Sequence, residues 1–395
     1  MSRDVAYLNG TVVRWARERA GLELNEMAAK LGKGLTVEHV RAWEIGKSFP
    51  TFTQAELIAE KLRVPLAVLF MNDPPEEKIP IPDLRTVFGQ IQRKPSLEFL
   101  ELLNDCIVRQ QWYQEDRMAE GAEPLPFVGR NQIGDDPKLV ASDIAKTLGL
   151  THQFRQQSDT WETFLSRFIQ QTENVGVLVM RSSVLRHASI RGLKVDEFRG
   201  FAISDPVAPL IFINSRDARA AQIFTLAHEL AHIWIEQSGI SNPNPTTRLK
   251  DLRNPTERFC NEVAAELLIP ETSLLGLWNS SETEEMNLKR ISTFHRVSKM
   301  VAIIRARDLE KLSYDKASAL IESEYERYKK ESDKQQGQTG GPSFWLSFSP
   351  RNSHRFTEAV ISALKQHRVL HLEAANLLGV KLGTLSKYIA YVTPE

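Results

Sequence analysis

The sequence predicts an α+β chain, mainly helical and divided into several domains. Three observations carry that prediction. Apolar residues recur at helical spacing through most of the chain, whereas short apolar runs of strand length gather in residues 175–213. Residues 73–82 are rich in proline, and residues 334–342 (KQQGQTGGP) in glycine and polar side chains, as linkers are. The length, 395 residues, exceeds what one hydrophobic core usually serves.

The elements follow in order. Residues 9–70 read as four or five short helices. Val12, Val13, Trp15 and Ala16 give the first its apolar face, and Gly21 ends it. Residues 24–31 form the second, followed by the turn Gly32-Lys33-Gly34. Thr36 caps a third at 37–45, stopped by Gly46, and segments 53–62 and 65–70 complete the set. Residues 96–174 read as helices broken by the Gly- and Pro-containing stretch 121–137. Then the pattern changes. Residues 175–180 (VGVLVM), 198–204 and 210–213 are apolar runs bounded by Gly, Pro or Asp, and are expected to be strands. Helices return at 216–237 and, beyond a polar loop at 238–255, at 256–269, where Pro270 ends the pattern. Residues 284–331 and about 353–392 are expected to be helical.

Composition excludes some classes. Lys+Arg and Asp+Glu number 50 each, so no global basic field marks a nucleic-acid binder. The two cysteines, Cys106 and Cys260, lie far apart, which predicts neither a disulfide framework nor a cysteine zinc site. The first residues, MSRDVAYLNG, hold no apolar signal core, and no apolar run is long enough to span a bilayer. A cytoplasmic protein without membrane contact is expected.

The chemistry concentrates in His-Glu-Leu-Ala-His, residues 228–232. Histidines four apart share one helix face and reach a common metal ion, and the intervening glutamate stands where a general base is needed. The surrounding helix is apolar nearly all round, yet Thr225, His228, Glu229, His232 and Glu236 form one polar stripe at helical spacing. Buried polar groups need partners, and a metal is one for two histidines. A catalytic zinc usually has a third protein ligand. Helix 256–269 offers Glu257, Glu262 and Glu266. Glu257 shares a face with Cys260, Asn261, Ala264 and Leu268, whose small members permit close approach, and is the expected third ligand. Asn261, one turn on, is placed to orient a ligand histidine. A structural zinc site with Cys260 or Glu262 as fourth ligand is an alternative. Cys260 is otherwise a small packed residue.

Residues 198–270 resemble the ImmA/IrrE zinc metallopeptidases, on the segments EFRGFAISDPVAPLIFINSRDARAAQIFTLAHELAHIWI and ERFCNEVAAELLIP. That family pairs HExxH with a downstream E-x-x-x-N helix, here Glu257 and Asn261. The resemblance implies a zincin-like domain over 155–331, zinc (Zn2+) at His228, His232 and Glu257, and Glu229 as base for peptide hydrolysis. An oxyanion stabiliser is also expected, with His187, His295 and Tyr314 as candidates. The strands before the motif helix offer an edge on which a substrate can add as a strand.

Residues 9–70 resemble the Xre/Cro-type helix-turn-helix, on LELNEMAAKLG followed by TVEHVRAWEIGKSFPT, which implies such a domain over 1–72. The resemblance implies that 36–45 enters the major groove of double-stranded DNA, with Thr36, Val37, Glu38, His39 and Arg41 toward the bases, and that the chain is a homodimer. Residues 1–75 hold ten Lys/Arg against nine Asp/Glu, a near-neutral balance that predicts weak or dimer-dependent binding.

The remaining boundaries are a linker and helical region at 73–154, a flexible linker at 332–343 and a C-terminal helical module at 344–395, with helix-turn-helix character in EAANLLGVKLGTLSKYI. Its charges are mostly basic, which suits a second nucleic-acid contact or a protein partner, and Phe344, Trp345 and Phe348 are expected to anchor it. Two functions follow from the resemblances. One is a zinc endopeptidase-type regulator that cleaves or controls a transcription repressor or other protein. The other is a DNA-binding regulator or antitoxin that uses the peptidase-like fold to bind a toxin partner.

Overall fold

The computed structural model describes residues 4–32, 34–76, 81, 95–185, 188–241, 254–336 and 348–393. Lys33, Pro80 and Pro82, His187, residues 242–253 of the polar loop, residues 337–342 of the glycine-rich linker, Phe344 and Trp345 lie outside them. The chain divides into two compact units. The first is Met1–Pro80 with Arg93–Glu101, and the second is Ile81–Gln92 with Leu102–Glu395.

The first unit holds α1 (Gly10–Arg19), α2 (Leu24–Leu31), α3 (Val37–Glu44), α4 (Phe52–Leu62) and a short 3₁₀ turn, Leu66–Phe70. Local capping sets the helix starts. Asn9 accepts from the Thr11 N–H, and the Thr51 hydroxyl and Gln54 amide close a reciprocal box at the start of α4. Val12, Val13, Ala16, Met27, Val40, Ile58 and Leu62 form the core. Glu44 ties α3 to α1: Arg17 Nε donates to Glu44 Oε1 at 2.6 Å and Nη2 to Oε2 at 3.2 Å, both side chains buried, and Arg14 Nε lies 3.5 Å from Oε2. Between α2 and α3, Gly32 and Gly34 take φ 95° and 97°, a conformation side chains rarely adopt.

In the second unit, α5 (Leu97–Ala119, from Leu102 onward), α6 (Pro137–Thr147), α7 (His152–Gln156) and α8 (Trp161–Asn174) precede the strands. β1 (Leu178–Ser182), β4 (Gly200–Ile203), β5 (Leu210–Asn214) and β6 (Gly239–Ser241) form a mixed sheet in the order β1-β5-β4-β6. β1 is parallel to β5, and β4 is antiparallel to both β5 and β6. β2 (Val184–Leu185) and β3 (Ala188–Gly192) form a separate hairpin. α9 (Arg219–Trp234) packs on β4 and β5, and α10 (Pro255–Leu268) packs on α9 and α6. The helices α11 (Glu271–Leu277), α12 (Glu284–His295), α13 (Lys299–Asp308) and α14 (Tyr314–Gln336) follow, and then α15 (His354–Lys365), α16 (His371–Leu378) and α17 (Leu385–Val392).

Several elements differ from the sequence reading. Val175 caps α8 and Gly176 takes φ 113°, so β1 begins only at Leu178. α9 ends at Trp234, and Glu236, at φ 52° and exposed, leaves the polar stripe. The stretch 284–331 is three helices, broken first where Arg296 turns left-handed at φ 55°. β6 lies in the segment read as loop, and the β2–β3 hairpin was not anticipated.

The main core includes Phe127, Val140, Ile144, Leu148 and Leu150, which precede position 155, the expected start of the central domain. α6 supplies part of the wall behind α10, so the core reaches back across that boundary. Arg155, buried, donates to the Leu267, Leu268 and His295 carbonyls at 2.8, 3.2 and 3.0 Å, which satisfies orphaned helix-end acceptors of α10 and α12. In the C-terminal helices, basic residues serve packing. Arg355 Nε donates to the Tyr113 hydroxyl at 2.7 Å, the His354 N–H donates to Glu173 Oε1 at 2.9 Å, and Arg368 pairs with Asp116 and Glu120.

Candidate metal centre

Two local features build the site. The i, i+4 spacing on α9 stacks His228 and His232 on one face, with ring centroids 4.9 Å apart. Asn254 and Pro255 begin α10: the Asn254 side chain accepts from the Thr256 and Glu257 N–H groups at 2.9 and 3.3 Å, and proline suits the first helical position. Glu257 is thereby held in the first turn, facing α9.

The packing of α10 on α9 brings the three side chains together. His228 Nε2 lies 3.1 Å from His232 Nε2, Glu257 Oε2 lies 3.4 Å from His228 Nε2, and Glu257 Oε1 lies 3.2 Å from His232 Nε2. Donor atoms 2.0–2.1 Å from a shared tetrahedral centre would be separated by about 3.3–3.4 Å. The three contacts are each close to that length, the two from Glu257 being made by different carboxylate oxygens, so the cluster is compact enough to close on one ion. Among the described residues this is the single group of three or more such side chains able to hold a metal ion. His228 and His232 have no exposed surface, and Glu257 is 6% exposed. Small residues make the approach possible: Ala227, Ala231, Cys260 and Ala264 are all fully buried.

Asn261 Oδ1 stands 3.0 Å from His228 Nδ1. With the amide so oriented its oxygen accepts, Nδ1 carries the proton, and the Nε2 lone pair faces the centre of the triangle. His232 Nδ1 has no hydrogen-bond partner among the described residues. Burial pushes the Glu257 carboxyl up, but His228 and His232 outweigh it and hold the group at about 2. Burial lowers the proton affinity of His232, with Glu257 opposing. A deprotonated carboxylate and an unprotonated imidazole are the forms that bind a divalent cation.

Glu229 is fully buried, and neither oxygen meets a hydrogen-bond partner among the described residues. Burial, and then the Glu257 charge, raise its pKa well above the usual carboxylate value, with the Ser241 hydroxyl opposing. It sits over the start of β4. A Cβ built on Gly200 would fall 2.9 Å from Glu229 Oε1, 2.6 Å from Thr225 Cγ2 and 3.0 Å from the Phe212 carbonyl oxygen. Glycine at 200 therefore makes room for the carboxylate. Ser241 of β6, paired with Gly200, faces the same way, its Oγ 3.3 Å from His232 Nε2. Neither Gly200 nor Ser241 was singled out from the sequence. A glycine opening an apolar run was the available signal for the first, and nothing marked the second.

The other candidates stand elsewhere. Glu262 pairs with Arg258 at 3.7 Å, and Glu266 is engaged by Arg305 and by the Glu271 N–H. Burial and the nearby Glu257 and Glu229 charges raise the Cys260 thiol well above its usual pKa, which disfavours a thiolate ligand. His295 Nε2 lies 2.9 Å from Ser273 Oγ, and Tyr314 opens α14, half-exposed.

Residues 172–307 match the family model described as the IrrE N-terminal-like domain of the M78 peptidases, and residues 13–69 match the one described as helix-turn-helix. The chain joins these two domains. Nothing among curated proteins or solved structures matches it. The IrrE-like domain begins in α8 and ends in α13, so the match encloses the sheet, α9 and α10 and with them the whole His228, Glu229, His232 and Glu257 cluster, whereas Tyr314 lies beyond it. Its fold is metallopeptidase-like, and its union with a helix-turn-helix is the organisation of an ImmA/IrrE-type regulator. In the helix-turn-helix domain, Thr36, Glu38, His39 and Arg41 are exposed on α3 or at its cap, Val37 is half-buried, and Val40 and Trp43 face the core. The Thr36 N–H donates to His39 Nδ1 at 3.2 Å, so His39 also closes the cap of its own helix. No helix among the described residues is long and apolar enough to cross a membrane.

Proposed function

We propose that the chain is a zinc-dependent endopeptidase-type regulator that cleaves or controls a protein partner, a transcription repressor being the expected class, and that binds double-stranded DNA through α3. The observation that carries the peptidase reading is the triangle of His228 Nε2, His232 Nε2 and the Glu257 carboxylate, with the unpartnered Glu229 beside it. His228, His232 and Glu257 would hold the zinc. When bound, zinc polarises a scissile carbonyl and lowers the pKa of water. Glu229 is the general base: its carboxylate accepts a proton from the attacking water and returns it to the leaving amine nitrogen. A raised proton affinity suits a group that must both take and release that proton. Asn261 keeps the His228 ring in the tautomer that presents Nε2. Exposure of Thr36, Glu38, His39 and Arg41 supports the DNA-binding half, in which Val37 lies against the groove floor and the domain pairs with a second copy.

The test is the metal content of the purified chain by mass spectrometry, alongside Glu257→Ala and Glu229→Gln. About one zinc per wild-type chain is expected from a single site, with the metal lost in Glu257→Ala and kept in Glu229→Gln. Cleavage of a repressor substrate should fall about 10²-fold or more in Glu229→Gln. A wild-type chain that takes up no zinc would overturn the peptidase reading and leave a DNA- or partner-binding regulator.

A further inference from the structure

β4 is flanked on one side by β5 and on the other by β6. The β4–β6 ladder is antiparallel, with Gly200 opposite Ser241, Phe201 opposite Ile240 and Ala202 opposite Gly239. Directly opposed residues of such a ladder present their side chains to the same face. At Gly200 that face is the one carrying Glu229 and Thr225. Ser241 points the same way, and its hydroxyl reaches to 3.3 Å from His232 Nε2. Ile240 points to the opposite face and is fully buried. Three residues thus run along β4 and deliver one small polar side chain to the metal-ligating cluster, while His228, Glu229 and His232 keep no exposed surface.

A peptide to be cleaved must bring a carbonyl to this cluster. The edge of β4 runs beside it, and a strand edge recognises any extended peptide through backbone hydrogen bonds. That edge is taken. We propose that β6 is an internal occupant of the peptide slot: residues 239–241 hold the place of an extended substrate segment, and must unpair from β4 before one can bind. The inference rests on His228, His232 and Glu257 being the zinc ligands. β6 is suited to leave. It is three residues long, and its Ser241 carbonyl accepts from the Arg199 N–H over a long 3.4 Å. Besides its ladder to β4 it is held by the buried Ile240 side chain and by the Ser238 hydroxyl, which accepts from the Ser204 N–H at 2.8 Å, a set small enough for opening to be local and not to require the unit to unfold. The substrate follows in outline: an extended segment antiparallel to β4, with a small residue where Ser241 now stands.

The experiment uses the full chain, loaded with zinc and carrying Ala202→Cys with Gly239→Cys. Paired positions of an antiparallel ladder have Cα separations of about 4.5–5.5 Å, within disulfide reach. The rate at which EDTA withdraws zinc is measured for the oxidised and reduced forms of the same protein, so that the reduced form reports on folding. Withdrawal should be roughly ten-fold or more slower when oxidised, since the site then opens only with a larger unit, and Ile240→Ala should release zinc faster than wild type. Equal rates in the oxidised and reduced forms, with zinc bound in both, would overturn the proposal while sparing the zinc reading. A wild-type chain without zinc would overturn both.

Discussion

Replacing Asn261 with alanine isolates what holds the His228 ring. The two side chains are buried, and Asn261 Oδ1 lies 3.0 Å from His228 Nδ1. The substitution removes that acceptor and leaves an N–H group in an apolar helix–helix contact. An unsatisfied buried donor costs about 1–3 kcal/mol. The ring escapes the cost by turning or changing tautomer, and either response takes the Nε2 lone pair away from Glu257 and His232. Zinc affinity should therefore fall about 10–100-fold, equivalent to about 1.4–2.7 kcal/mol. Asn261→Asp keeps an acceptor in place and should recover most of the loss. A competition titration against a chromophoric chelator measures all three proteins, with circular dichroism confirming that each is folded. If the folded Asn261→Ala chain binds zinc as tightly as wild type, the hydrogen bond does not orient the ligand and the reasoning fails.

Three further outcomes follow from particular contacts. Gly200→Ala puts a Cβ 2.9 Å from Glu229 Oε1 and 2.6 Å from Thr225 Cγ2, so the base must move; zinc uptake should persist while peptide cleavage drops about 10²-fold, and unimpaired turnover would contradict the packing argument. His295 is pushed down to about 3 by burial, then by Arg155 and His152, so the unfolded chain takes up its proton near the ordinary value of 6.5 while the folded one stays neutral. Its contribution is complete above that value and declines as pH falls toward 3, at about 1.4 kcal/mol per pH unit. Calorimetric stability compared between pH 6.5 and 5 should depend less on pH in His295→Gln, and identical slopes would count against it. Glu44→Ala strands the buried Arg17 guanidinium and should cost the first unit about 3–5 kcal/mol, seen as lost hydrogen-exchange protection in α1 and α3; unchanged protection would show the pair to be dispensable.

Much of the site was legible because it is local. The rise of a helix alone puts His228 and His232 on one face with Glu229 beside them. Asn254-Pro255 announces a helix start, and the distribution of Glu257, Glu262 and Glu266 around that helix follows from its turn. The helix caps at Asn9, Thr51 and Asn254 are likewise written within a few residues. Apolar periodicity separated the helical stretches from the strands for the same reason.

Tertiary structure decided the rest, because the deciding partners are far apart in the chain. Glu257 meets the histidines, whereas Glu266, about two and a half turns along the same helix and so on its opposite side, meets Arg305, a choice made by which helix packs against each face of α10. The mostly basic charge of the C-terminal module suits a nucleic-acid contact or a protein partner, yet two of its arginines, Arg355 and Arg368, bond to Tyr113, Asp116 and Glu120. β6 has three residues, too few to show a period, and becomes a strand only because β4 offers it an edge. That non-local pairing places Ser241 against His232 and closes the site. The sequence by itself thus determined which side chains a helix would present together; the fold determined what faces them, since a partner across a sheet or a helix contact leaves no mark on the spacing of either strand of sequence.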